Sequence, residues 1–186
     1  MKILIYILLS MTLWVTHPSD NPAPCSMAYD GIDLKTKLYT KIMSPAHFFY
    51  YTPQELKNDM QTNNLLECKA QLTQIEDQVY LNLNLITFSE KAAREYGSIE
   101  MGNILKIKTI DNKTHEIQCR AGSNGQRLNH ENKYLYSVSY TLEKSDIKGL
   151  LKSEIDKIGI QWSSGFEEYT IYEIDLIKNQ LTCLNL

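Results

Sequence analysis

From Leu66 to Leu85 the chain alternates apolar and polar residues. Leu66, Cys68, Ala70 and Leu72 interleave with Glu67, Lys69, Gln71 and Thr73; past Glu76-Asp77-Gln78, Val79, Leu81, Leu83 and Leu85 interleave with Tyr80, Asn82 and Asn84. A period of two puts alternate side chains on opposite faces of a strand, whereas a helix would need a period of 3.6. Two such runs around a turn predict an antiparallel hairpin over residues 65–88, dry on one face and wet on the other.

The rhythm recurs down the chain. Asn103 to Ile110 and Thr114 to Arg120 flank Asp111-Asn112-Lys113, with Ile117 and Cys119 expected inward. Tyr134, Tyr136, Val138, Tyr140 and Leu142 mark another strand, and Ile155 to Trp162 with Glu168 to Asp175 predict a last hairpin across Ser163-Ser164-Gly165. Helix signals are short. Thr52-Pro53-Gln54-Glu55 combines a cap, a first-turn proline and a capping box, with Tyr51 and Leu56 at staple positions, and predicts a helix to about Gln61. Ser89 is placed to cap Glu90 to Tyr96 ahead of Gly97, and Ser145 to cap a turn that carries Ile147, Leu150 and Leu151 inward. The apolar tail with Leu176, Ile177, Leu181 and Leu184 should pack back on the body. Together these predict a mainly β, β-rich α+β chain: antiparallel hairpins in a sandwich or rolled sheet, with two or three short helices.

At the amino end, Lys2 precedes an apolar run from Ile3 to Val15 that stops at His17, Pro18 and Asp20. That is the order of a secretory signal, and it is shorter than the ~20 apolar residues that span a bilayer. The expected organisation is a signal peptide over 1–16, an extended leader over 17–24 and a single β-rich domain over 25–186, with no membrane-spanning helix once the signal is removed. Lipid attachment at Cys25 is a lesser alternative, since Asn21-Pro22-Ala23-Pro24 lacks the residues of a lipobox. The expected location is periplasmic, cell-surface or secreted. Without Lys2 the chain holds 18 basic residues against 22 acidic ones, the basic ones scattered singly, which argues against a nucleic-acid partner.

Cys25, Cys68, Cys119 and Cys183 all lie beyond the signal and allow three pairings. Their wide spacing fits neither a CxxC redox motif nor a structural zinc site, so no metal or cofactor is expected. Cys68 and Cys119 fall on inward faces and either meet as a disulfide, the preferred expectation, or act as small apolar fillers. Cys25 and Cys183 then tie the two ends, or Cys25 stays unpaired in the leader.

The segment Ala121 to Asn132 is polar and rich in glycine, a long exposed loop whose binding candidates are Asn124, Arg127 and His130. His115 and Cys119 share a strand face but stand about 13 Å apart at Cα, too far for an activated thiol, so His115 is expected on the surface or near the turn. Glu173 and Asp175 share a predicted strand face roughly 7 Å apart, a spacing that suits paired carboxylates in glycoside cleavage. Phe48 to Tyr51, Tyr80 and Tyr172 are candidates for a sugar-stacking or docking patch. There is no GxSxG elbow, HExxH helix, Walker loop or dinucleotide fingerprint.

The stretches EYGSIEMGNILKIKTIDN and DKIGIQWSSGFEEYTIYEID, the Gly97 and Gly102 region, Trp162 before its Ser-Ser-Gly turn and the ending NQLTCL resemble uncharacterised exported proteins common in Bacteroidota-type bacteria. The resemblance covers most of the chain beyond the leader and implies export and a β-rich fold, with no activity attached. The resulting expectation is an exported, non-catalytic binding or interaction domain with a protein or glycan partner. The alternatives are a hydrolase that uses Glu173 and Asp175, or a structural envelope protein whose tied ends serve stability alone.

Overall fold

The structure is a computed structural model that describes residues 25–53, 65–88, 92–128 and 133–186. Within them the chain forms β1 (Met27–Ile32), β2 (Tyr39–Met43), β3 (Ala46–Tyr51), β4 (Leu66–Ile75), β5 (Gln78–Thr87), α1 (Ala92–Glu95), β6 (Ile104–Thr109) and β7 (Thr114–Ala121). There follow β8 (Gln126–Arg127), β9 (Tyr134–Leu142), α2 (Lys144–Leu150), β10 (Ile155–Trp162), β11 (Gly165–Thr170) and α3 (Leu176–Cys183). The fold is mainly β, and every strand pair is antiparallel. The main path across the sheet is β1-β2-β4-β5-β9-β7-β6-β10-β11, with β3 also on β4 and β8 on β9.

The sheet is rolled. Its last strand, β11, comes round to β3: the Tyr169 ring stacks on Phe49 at 4.8 Å and meets Tyr51 edge-on at 5.1 Å, while Tyr172 N–H donates to the Phe48 carbonyl at 3.4 Å. The hairpin anticipated from the alternation forms as β4–β5, in register from Leu66↔Thr87 to Ile75↔Gln78, with Glu76 in the left-handed region at φ 51°. Its Leu66, Cys68, Ala70, Leu72, Val79, Leu81, Leu83 and Leu85 are all buried, as are Tyr136, Val138, Tyr140 and Leu142 of the neighbouring β9. One face of the curved sheet is therefore the core.

β4 is flanked by two strands in tandem. β3 pairs with Leu66 to Ala70, β2 pairs with Thr73 to Ile75, and Gln71 and Leu72 fall in the gap between them. The gap exists because the chain turns through Ser44-Pro45, where proline has no N–H for the ladder. Helix α3 fills it. Ile177, Gln180, Leu181 and Leu184 share its buried face, and the Gln180 amide oxygen accepts the Leu72 N–H at 2.8 Å while its nitrogen donates to the Ser44 carbonyl at 3.3 Å. The same joint holds the start of the domain, since Ser44 N–H donates to the Ser26 carbonyl and Cys25 is bridged to Cys183 at the end of α3. In β3 a bulge between His47 and Phe49 inserts one extra residue, which turns both Phe48 and Phe49 into the core.

Several expectations need correction. β11 ends at Thr170, so Glu173 and Asp175 do not lie on a strand: the chain leaves the ladder there to reach α3, and Asp175 is its N-cap. Helix α2 starts at Lys144, before the expected Ser145 cap; Glu143 is the N-cap, and its N–H donates to the Asp146 carboxylate at 3.1 Å. The tail is the helix α3, its buried residues three and four apart. The loop after Ala121 is partly paired, with an Ile99↔Ser123 bridge and β8 on β9. β1 and β2 went unread because both faces of MAYDGIDLKTKLYTKIM carry apolar and charged residues alike. The signal peptide and leader, the capping box at Glu55 with its helix and the Ser89 cap lie outside the described residues; α1 and its Gly97 terminator, at φ 73°, lie within them.

Gln180→Ala leaves the Leu72 N–H and the Ser44 carbonyl buried without partners, each worth about 1–3 kcal/mol. Chemical denaturation should show a loss of roughly 2–5 kcal/mol, against a change within about 0.5 kcal/mol for the exposed neighbour Asn179→Ala.

Candidate functional site

The structure scatters the residues that the sequence nominated. Asn124 and Arg127 are exposed, Arg127 in β8 opposite Tyr134, and His130 lies outside the described residues. Between them the backbone is pinned: Gly125, at φ 77°, lies against the Tyr136 ring so closely that a Cβ would sit 2.6 Å from it. Glu173 and Asp175 are both exposed, and their main-chain carbonyls accept the Leu176 and Asn179 N–H groups, which start α3. The common strand face that suggested paired carboxylates is not formed.

The cysteines divide differently from expectation. Cys25 and Cys183 form a disulfide with Cα atoms 5.5 Å apart, whereas Cys68 and Cys119 are free and buried. Cys68 sits on β4 and Cys119 on β7, with β5 and β9 between them, about 14 Å of sheet at 4.7–4.9 Å per strand; a disulfide needs Cα atoms within about 7 Å. Burial pushes both thiols up, Cys68 furthest, so they act as apolar fillers and not as nucleophiles. Among the described residues the buried hydroxyl of Tyr140 has no hydrogen-bond partner, and burial is the main force holding its ionisation high.

His115 proves to be half-buried rather than a surface residue. Its Nδ1 lies 3.2 Å from the Asp146 carboxylate, and Gly149 lets α2 approach so closely that a Cβ there would meet the imidazole at 2.3 Å. The pair straps α2 to β7. Of the aromatic candidates, Phe48 and Phe49 are core, Tyr80 lies under the Arg120 guanidinium at 4.5 Å, and Tyr172 stands 69% exposed beyond the end of β11.

Three surfaces remain. On the outer face of β6, β10 and β11, the half-exposed Phe166 ring lies over Gly159, where a Cβ would fall 2.1 Å from it, and borders an open groove of about 560 Å³. The polar groups of that groove are already engaged: Lys106 pairs with Glu116 at 3.0 Å, Gln161 accepts the Ile104 N–H, and the Ser164 hydroxyl donates to the Tyr96 carbonyl. Covering the glycine accounts for the ring. A second groove of about 530 Å³, between α2 and the β4–β5 turn, is floored by Ile147, Leu151 and Leu186 and edged by Lys144, Lys148 and Lys152.

The third surface is the β1–β2 hairpin. β2 touches β4 only over Thr40 to Ile42, and Tyr39 is tied to Glu76 through its N–H and carbonyl, so Ile32 to Leu38 stand clear of the body. Leu34 is 82% exposed, Ile32 60%, and Leu38 and Tyr39 are exposed with them, so that bare apolar side chains gather on one short hairpin. The turn itself is well made: the Asp33 carboxylate accepts the Lys35 and Thr36 N–H groups at 3.0 and 2.7 Å and the Thr36 hydroxyl at 2.9 Å. Behind it the Tyr39 hydroxyl donates to Asp30 and the Tyr29 hydroxyl to the Ile32 carbonyl. An ordered backbone thus presents bare aliphatic side chains. The sequence signal was Ile32 and Leu34 with Leu38 and Tyr39 around Asp33 to Lys37, a pattern in which neither strand face is purely polar.

No family model matches the chain, and no curated protein or solved structure matches it either.

Two outcomes follow from this chemistry. In the native protein iodoacetamide should modify no cysteine; reduction without unfolding should open Cys25–Cys183 alone, and only unfolding should expose Cys68 and Cys119, as read by intact mass. Native labelling of either buried thiol contradicts this packing. The second concerns the tip. The Thr36 N–H, followed by the Thr36 hydroxyl, holds the Asp33 carboxyl below its ordinary 3.8. A carboxyl lowered on folding stabilises the turn above the unfolded value and loses that effect as pH falls through the folded one. NMR titration of Asp33 should therefore give a midpoint below 3.8, moved part of the way back by Thr36→Ala; a midpoint at or above 3.8 in the unaltered protein would show that the turn is not closed.

Proposed function

We propose that the chain is an exported, non-catalytic binding domain that docks on its partner through the tip of the β1–β2 hairpin. The observation that carries this reading is the cluster of Ile32, Leu34, Leu38 and Tyr39, solvent-exposed on a hairpin whose backbone is fully organised. A mobile loop would expose such residues by chance, but an ordered turn that holds them out is arranged for contact. Export is supported by the Cys25–Cys183 disulfide, which persists in oxidising compartments and closes 158 residues of sequence separation. That bond also occupies the Cys25 sulfur that lipid attachment would require.

A photo-crosslinking residue in place of Leu34, in the natural host, should give an adduct in the cell envelope. The same residue in place of Met101, which is equally bare but stands in a separate loop, should give none. Equal adducts at both positions, or none at position 34, would sink the docking role of the hairpin.

A further inference from the structure

We infer that the surface met by the hairpin is an anionic lipid bilayer, with Ile32, Leu34 and Leu38 entering the headgroup region and Lys35 and Lys37 facing lipid phosphates. The inference rests on the docking reading above and names its partner. Shape is the first argument. The bare side chains sit on a projecting turn and not in a groove, which suits a soft, flat acceptor better than a folded protein, whose surface would need a matching cleft.

Charge is the second. Lys35 and Lys37 make no ion pair among the described residues and are exposed at the tip, while the two hairpin carboxylates keep their charge but are turned inward, Asp33 into the N–H groups of the turn and Asp30 toward the Tyr39 hydroxyl. A further row, Lys144 and Lys148 on α2 and Lys152 just past its end, with no ion pair among the described residues, borders the groove whose other wall includes Asp77 of the β4–β5 turn, the turn that Tyr39 bonds through Glu76. The chain as a whole is acidic, 19 basic against 22 acidic residues, so an anionic surface repels the body and admits it tip first. Tyr29 and Tyr39 stand behind the aliphatic tip with hydroxyls bonded inward, where amphipathic rings occupy a membrane interface. Strand addition by a second copy is disfavoured at this end, because the Tyr29 hydroxyl already occupies the Ile32 carbonyl at 2.7 Å.

The test is co-sedimentation of the oxidised protein with vesicles of phosphatidylglycerol and phosphatidylcholine, and with phosphatidylcholine alone. Binding is expected on the anionic vesicles, falling steeply with salt and at least about tenfold weaker on the neutral ones. Leu34→Ser with Leu38→Ser should weaken it about a hundredfold, and Lys35→Gln with Lys37→Gln about thirtyfold. All variants share the rest of the chain, so any difference reports the hairpin, and unchanged melting temperatures certify the fold. No binding, equal binding to neutral vesicles, or binding that neither variant weakens overturns the inference. If vesicles fail while the adduct at position 34 is a protein, the lipid partner falls and the docking role stands; if both fail, both fall.

Discussion

The Leu72 N–H, inside β4, finds its acceptor in the side chain of Gln180 from α3. A buried N–H without a partner is costly, and β4 has one because two shorter strands share its edge and leave a gap where Pro45 interrupts the ladder. Closing that gap with a glutamine fixes α3 against the sheet to within a hydrogen bond. It also brings the segment at Cys25 and Ser26 beside the end of α3, since Ser26 bonds Ser44 beside the gap and Cys183 lies three residues past Gln180. The disulfide then secures a geometry that the hydrogen bonds already define. By the chain-entropy relation a closure of this length contributes about 5 kcal/mol, chiefly by restricting the unfolded chain.

What could be read from the sequence follows from how each element is buried. β4, β5, β9 and the β6–β7 pair were legible because each presents one face to the core and one to water, so their sequences carry the period directly. β3 was not, because its bulge puts Phe48 and Phe49 inward in succession and erases the alternation. The helical spacing of Ile177, Gln180, Leu181 and Leu184 was present in the sequence, but a polar glutamine in the buried set hides the stripe unless its partner on β4 is known. Glu173 and Asp175 show the opposite error: alternation in Tyr169, Ile171 and Glu173 continues past the point where the ladder ends.

The interior also explains why the expected Cys68–Cys119 bond does not form. Inward direction is a local property that alternation reveals, whereas distance across the sheet depends on strand order, which it does not. β5 and β9 intervene.

The hairpin carries a different kind of information from the core. Residues inside the roll are explained by one another, each filling space or satisfying a bond. Leu34 contributes to neither, and its exposure would favour aggregation if nothing covered it. The tip departs from what folding alone requires while its own turn is closed by three hydrogen bonds to the Asp33 carboxylate. Rules of burial broken on a locally consistent backbone point to contact with something outside the fold. In the docking role proposed for the tip, the rest of the sheet would be its mount: the ties of Tyr39 to Glu76 on one side and of Ser26 to Ser44 on the other link the tip to β4 and, through Gln180, to α3.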